Sequence, residues 1–307
     1  MRALTILLAY FAWVFIGAAL LAPWIHALVQ SAAGSFEFLK PLADQSFHRY
    51  LSRTIQVFAV LGLWIFIRET GIKLNESAET ARTTKRWRNL GIGFLLALSS
   101  VALVAIVLGL AGVRAFDSSH SAADIGSHFL KATLAAALVA VFEEFLFRGV
   151  LFTWLRQTTS LMPALIGSSG IYALLHFMQS PQHTGAVTWS TGLTMLPALL
   201  GFFSDTKVLL PAGLSLFIVG TILAQAFHRS GTLHFSIGLH AGWILWGKSY
   251  GFFTRGTGGE NHAFWGSGKL IDGWFLVPVL CLVFWCVTRI RFAATDTKST
   301  DAARNAQ

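Results

Sequence analysis

Long apolar runs separated by short polar segments dominate the chain, at 4–29, 55–67, 90–113, 129–155, 162–178, 208–227, 233–246 and 270–287. A bilayer's hydrocarbon core is about 30 Å thick, and a helix rising 1.5 Å per residue crosses it with about 20 mostly apolar residues. The pattern predicts an all-α fold, a polytopic transmembrane helical bundle of about eight spans. Residues 189–203 form a ninth candidate or an interfacial helix. The run at 55–67 is short for a bilayer unless the residues before Ile55 continue it.

Composition narrows the class. Of the 307 residues, 54% are hydrophobic and only 12% charged, about half the charge of an ordinary soluble domain, which argues against a cytosolic globular enzyme. Met1 and Arg2 precede an apolar run too long for a secretory signal, so it reads as a first transmembrane helix. The net charge of +9 would suit nucleic acid, but the basic residues sit between or beside apolar runs, where anionic headgroups and the orientation rule account for them. No nucleic-acid partner is expected. With eight spans the side that receives Arg2 holds most of the Lys and Arg, which favours both termini in the cytoplasm of a bacterial plasma membrane. Cys281 and Cys286 lie roughly 7.5 Å apart along one helix on different faces, so neither a disulfide nor a cysteine metal site is expected.

Four regions follow: N-terminal transmembrane helices and a basic loop over 1–122, a core of spans over 123–250 that holds the candidate chemistry, a loop and last span over 251–292, and a disordered tail over 293–307. The loop 249–269, with His262, Phe264 and Trp265, reads as interfacial.

Candidate chemistry is concentrated in three spans. The fourth carries Glu143, Glu144 and Arg148 in an otherwise apolar helix. Even a lenient insertion scale assigns such residues about 2.5–3.5 kcal/mol each at mid-bilayer, so they mark a functional site by default. Glu144 and Arg148 are i,i+4 and pair along one face, while Glu143 points about 100° away. Glu143 is then the carboxylate suited to act as a general base toward water.

In the fifth span Ser168, Tyr172 and His176 form a polar stripe at i, i+4 and i+8. In the seventh, His240 lies among small residues, with His234 nearer the membrane boundary. One acid and two histidines from three helices allow two chemistries: a Glu143-activated water with the histidines as orienters or oxyanion donors, or a zinc ion held by Glu143, His176 and His240. The sequence assigns no cofactor beyond that possible zinc. A transporter, scaffold or immunity protein with buried charges is a non-catalytic alternative. A rhomboid-like serine protease is a catalytic alternative, because Gly167-Ser168-Ser169-Gly170 fits Gly-x-Ser-Gly and His240 lies on a later span.

Glu143-Glu144-x-x-x-Arg148, Tyr172-x-x-x-His176 and Ile237-Gly238-Leu239-His240-Ala241-Gly242-Trp243 together resemble the motifs of the CPBP intramembrane proteases. That family contains the eukaryotic CAAX prenyl endopeptidases and bacterial bacteriocin-processing and self-immunity (Abi) proteins. The resemblance spans about 129–247. It implies hydrolysis of a peptide bond in a membrane-embedded or lipid-anchored substrate, with Glu143 as base, His176 as its partner, His240 as oxyanion donor and Glu144 with Arg148 in support. Tyr172 stands where the family usually has Phe. Ile244 stands where Asn or Asp is common.

Overall fold

The computed structural model describes residues 2–72, 83–178, 182–199, 206–258 and 262–292. The chain is 80% helical, with two three-residue strands among the described residues, so it is an all-α membrane protein. Among the described residues four helical stretches are long and apolar enough to cross a bilayer: Thr5–Ala33, Phe47–Thr70, Arg86–Leu110 and Leu209–Ser230. Leu161–His176 and Leu276–Arg289 are shorter apolar helices. Most of the basic connector at 73–88, part of the ninth-span candidate and the tail after 292 lie outside the described residues.

Two compact units divide the chain. The first comprises Met1–Ile72 and Leu174–Thr206. Its first span is α1 (Arg2–Ala12), a π-helical stretch at Trp13–Gly17 and α2 (Ala18–Ala33), which contains Pro23. After the short α3 (Lys40–Ala43), α4 runs over Phe47–Thr70. The helix therefore does extend before Ile55, through a more polar turn, and it ends at Gly71 in the left-handed conformation (φ 62°) that glycine adopts without strain. Ala19, Ala22, Phe47, Leu51 and Met195 form the unit's core, and Met195 comes from α9 (Thr191–Met195), a five-residue helix within the 189–203 stretch.

The second unit, Lys73–Ala173 and Lys207–Gln307, holds the polar centre. It contains α5 (Thr83–Leu110), α6 (Ala122–Glu144), a π-helical stretch at Phe145–Phe152, α7 (Thr153–Thr158) and most of α8 (Leu161–His176). α10 (Thr206–Ser230, all but its first residue), α11 (Leu233–Phe253), α12 (His262–Trp265) and α13 (Leu276–Arg289) complete it. A capping box starts α6: the Ser121 hydroxyl accepts from the Asp124 N–H, and the Asp124 carboxylate accepts from the Ser121 N–H. Antiparallel pairing of β1 (Arg114–Phe116) with β2 (Thr254–Gly256) ties the end of α5 to the end of α11. α13 begins later than the apolar run that starts at Leu270, because Asp272 accepts from the Ser267 N–H and hydroxyl and holds the preceding segment in a turn. Cys281 and Cys286 are free thiols.

α11 packs against α5 and α6. A Cβ on Gly238 would overlap the Leu90 carbonyl oxygen, so α5 and α11 meet backbone to backbone there, as small residues permit in membrane helix pairs. Trp243 Nε1 donates to Ser100 Oγ at 3.0 Å across the same pair.

Candidate active site

A row of small side chains on α6, Ala132, Ala136 and Ala140, is buried and continues into Glu144, so one helical face is apolar until its last turn. The backbone then changes to π-helical geometry over Phe145–Phe152, a local widening that recurs at functional sites. Arg148 lies inside this stretch, yet its Nη1 still reaches back to Glu144 Oε1 at 2.9 Å.

Both partners are enclosed, Glu144 at 0% and Arg148 at 2% exposure, so the ion pair is shielded from water. Its remaining polar atoms need partners of their own. Arg148 Nη2 donates to the Gly220 carbonyl on α10 at 3.1 Å, and the guanidinium carbon stands 4.7 Å from the centroid of the Tyr172 ring. Gly220 permits this approach: a Cβ there would sit 3.0 Å from Ser169 Cα and 3.2 Å from Tyr172 Cδ1.

His240 completes the cluster. Its Nδ1 lies 2.9 Å from Glu144 Oε1, the oxygen that also accepts from Arg148. A carboxylate paired with a guanidinium accepts hydrogen bonds, so the imidazole proton belongs on Nδ1. That orientation turns Nε2 toward Glu143, whose Oε2 is 3.9 Å away. This separation is too long for a direct hydrogen bond and suits one bridging water. Tyr172 closes one side, its ring centroid 6.2 Å from that of His240 and 5.0 Å from that of Phe147.

Of the six residues singled out in the sequence, five therefore come together in the second unit: Glu143, Glu144, Arg148, Tyr172 and His240. His176 is the last residue of α8, belongs to the first unit and is exposed. Ile244 packs with the apolar cluster of Ala132, Ala136 and Leu245, and its own side chain offers no hydrogen bond to an oxyanion. Ser168 Oγ donates to the Leu165 carbonyl, and Ser169 Oγ accepts from Thr221 Oγ1 at 3.1 Å, so His240 pairs with a carboxylate and neither serine. The roles of Gly220 and Trp243 escaped the sequence reading. The small residue beside α8 and the tryptophan one turn beyond His240 were the available signals.

Among the described residues no group of three or more His, Cys, Asp or Glu side chains is arranged to hold a metal ion. Nδ1 of His240 is already committed to Glu144, which leaves Nε2 and Glu143 as two donors where a catalytic zinc takes three. Within the second unit, then, two of the three ligands of a catalytic zinc are present.

A buried, positioned carboxylate and histidine thus form a polar centre within an all-α membrane protein. Residues 125–246 match the family described as type II CAAX prenyl endopeptidase Rce1-like, which supports the resemblance of this region to the CPBP intramembrane proteases. The chain is also 25% identical over 211 residues to the uncharacterized protein YyaK of Bacillus subtilis (strain 168), an alignment covering 65% of this chain and 60% of that protein. The chain thus spans less than two thirds of this relative's length. No solved structure matches it.

Proposed function

We propose that the protein is a glutamate-type intramembrane endopeptidase acting on a membrane-embedded or lipid-anchored peptide. The observation that carries this reading is the 3.9 Å gap between Glu143 Oε2 and His240 Nε2, beside a histidine whose other nitrogen is anchored. A water in that gap gives a proton to Glu143 as its oxygen attacks the scissile carbonyl carbon. The tetrahedral oxyanion is met by His240, whose Nε2 takes the water's second proton as the carbonyl opens and donates it in a hydrogen bond to that oxygen. Glu143 then returns the proton to the departing amine as the C–N bond breaks, so the carboxylate is regenerated. Glu144 and Arg148 act through position: they fix the imidazole and make no contact with the peptide. His176 takes the part of water partner by its place in the motif.

The Lys and Arg distribution supports a multi-pass protein of a bacterial plasma membrane with both termini in the cytoplasm. A farnesylated CAAX peptide and an unprenylated transmembrane peptide are the two substrate probes that the family description suggests. Reconstituted protein is expected to cleave one of them, and Glu143→Gln to abolish cleavage while leaving the helix content unchanged. Chelator is expected to leave the rate unaltered. Loss restored by zinc would replace the acid–base reading with the metal one. Full activity in Glu143→Gln would exclude both. The apolar setting of Ile244 favours the non-catalytic alternative if neither probe is cleaved, and charge movement across proteoliposomes would then identify a transporter.

A further inference from the structure

The first unit contains a cleft unrelated to the polar centre, with a volume of about 560 Å³. That falls within the range of small-molecule sites, about 300–1,000 Å³. One wall is an aliphatic stripe of α2, Leu21, Ile25 and Val29, spaced i, i+4 and i+8. The opposite wall is α4, which contributes Val57 and Phe58 toward one end and Arg49 and Arg53 toward the other. The helices are antiparallel, since Trp13, just before α2, packs on Phe58, whereas His26, further along α2, packs on Tyr50. The cleft therefore grades from an apolar floor at Leu21 and Phe58 to a cationic mouth near Val29 and Arg49.

Membrane depth fixes what meets this gradient. Arg68, stacked on Trp64, marks the far end of α4. Arg49 precedes it by nineteen residues, about 28 Å of helix, close to the roughly 30 Å of a hydrocarbon core. With Arg68 at one interface, Arg49 and Arg53 lie at the other, at the level of lipid headgroups, and the cleft descends from them toward the bilayer centre. The two guanidinium groups are one turn apart on one face. Both arginines are exposed, and no carboxylate pairs with either among the described residues. Arg53 donates to Gln56, and the nearby Lys40 is already paired with Glu37.

We infer that this cleft binds an anionic phospholipid, with the phosphate-bearing headgroup against Arg49 and Arg53 and one acyl chain along Leu21, Ile25 and Val29. A neutral lipid satisfies the floor and leaves two cations uncompensated. A free phosphate satisfies the cations and leaves the floor bare.

The full chain in nonionic detergent, titrated with phosphatidylglycerol or phosphatidylcholine of identical acyl chains and read by native mass spectrometry, tests this. Each arginine contributes roughly a fivefold preference for the anionic lipid, on the order of 25-fold together. Arg49→Gln combined with Arg53→Gln is expected to bring the two lipids to parity. Ile25→Trp, which fills the cleft and spares both arginines, is expected to weaken both lipids. Arg68→Gln, at the opposite interface, is expected to keep the preference. Equal binding of the two lipids to the unaltered chain would overturn the assignment. So would a preference that survives loss of both arginines, one that Arg68→Gln lowers equally, or inorganic phosphate competing with phosphatidylglycerol at equal concentration.

Discussion

His240 Nδ1 and Glu144 Oε1 stand 2.9 Å apart although 96 residues separate them in the chain. The bond decides which face of the imidazole is available, because it consumes Nδ1 and aims Nε2 at Glu143. His240→Ala is expected to lower kcat by about a hundredfold to a thousandfold, the usual cost of removing an oxyanion donor. His240→Asn keeps a donor near the position of Nδ1 and ends short of Nε2. It should lose activity to the same extent while holding the melting temperature closer to that of the unaltered protein than Ala does. Equal melting temperatures for the two variants would show that the bond to Glu144 does not hold the helices.

Arg148 and Glu144 are enclosed, so removing one member strands a charge. Arg148→Met is expected to destabilise the protein by about 3–5 kcal/mol, measurable as a lowered denaturation midpoint in detergent. The double variant Arg148→Met with Glu144→Leu removes both charges and should recover most of that loss without recovering hydrolysis. Activity in the double variant would mean that the pair does not position His240.

Two glycines on α11 predict opposite outcomes for one substitution. Gly238→Ala pushes a methyl group into the backbone carbonyl of Leu90, which cannot swing aside, at a cost of about 1–3 kcal/mol. Gly247 has no atom within 4 Å of the position a Cβ would take. Gly247→Ala should therefore stabilise the helix by about 0.5–1 kcal/mol. Thermal melts of the two variants side by side check both signs.

The helical argument from sequence reached the Glu144–Arg148 pair because the partners are one turn apart, and local spacing is what a sequence exposes. It could not reach the choice His240 makes between two adjacent carboxylates. The motif pairs Glu143 with His176 and gives His240 no carboxylate of its own, whereas the ring's anchored nitrogen is bonded to Glu144, and that bond follows from how α11 lies against α6. Thr5–Ala33, Phe47–Thr70, Arg86–Leu110 and Leu209–Ser230 fall on apolar runs of the sequence, but helix ends were not legible: α4 begins at Phe47 among His48, Arg49 and Arg53, polar residues suited to an interface. The π-helical turn after Glu144 has no compositional signature, since Phe145 to Phe152 is as apolar as its neighbours. Arg148's third partner is a backbone carbonyl, which every residue carries, so no residue type announces it.

Outside the spans, Asp117 gives a pH dependence with a definite sign. Hydrogen bonds from Ser119, the hydroxyl first and the backbone N–H second, hold its carboxyl below the ordinary value of 3.8. A depressed value in the fold means that the contribution is present above the unfolded value and is lost as pH falls through the folded one. Melting temperature should decline on acidification from about pH 5 to about pH 2, and Ser119→Ala should make that decline shallower. An unchanged slope would assign the acid sensitivity to other carboxylates.

The contact of Gly238 with Leu90 also bears on how a bulky peptide gains entry. Two helices touching through their main chains, and fastened again by Trp243 on Ser100, have no slack with which to slide or part. They behave as one stiff strut, with the imidazole mounted on it. Any lateral gate must then be made by other segments, because α6 is tied to the same strut through the bond between Glu144 and His240, and Glu143 beside it travels with the imidazole rather than against it.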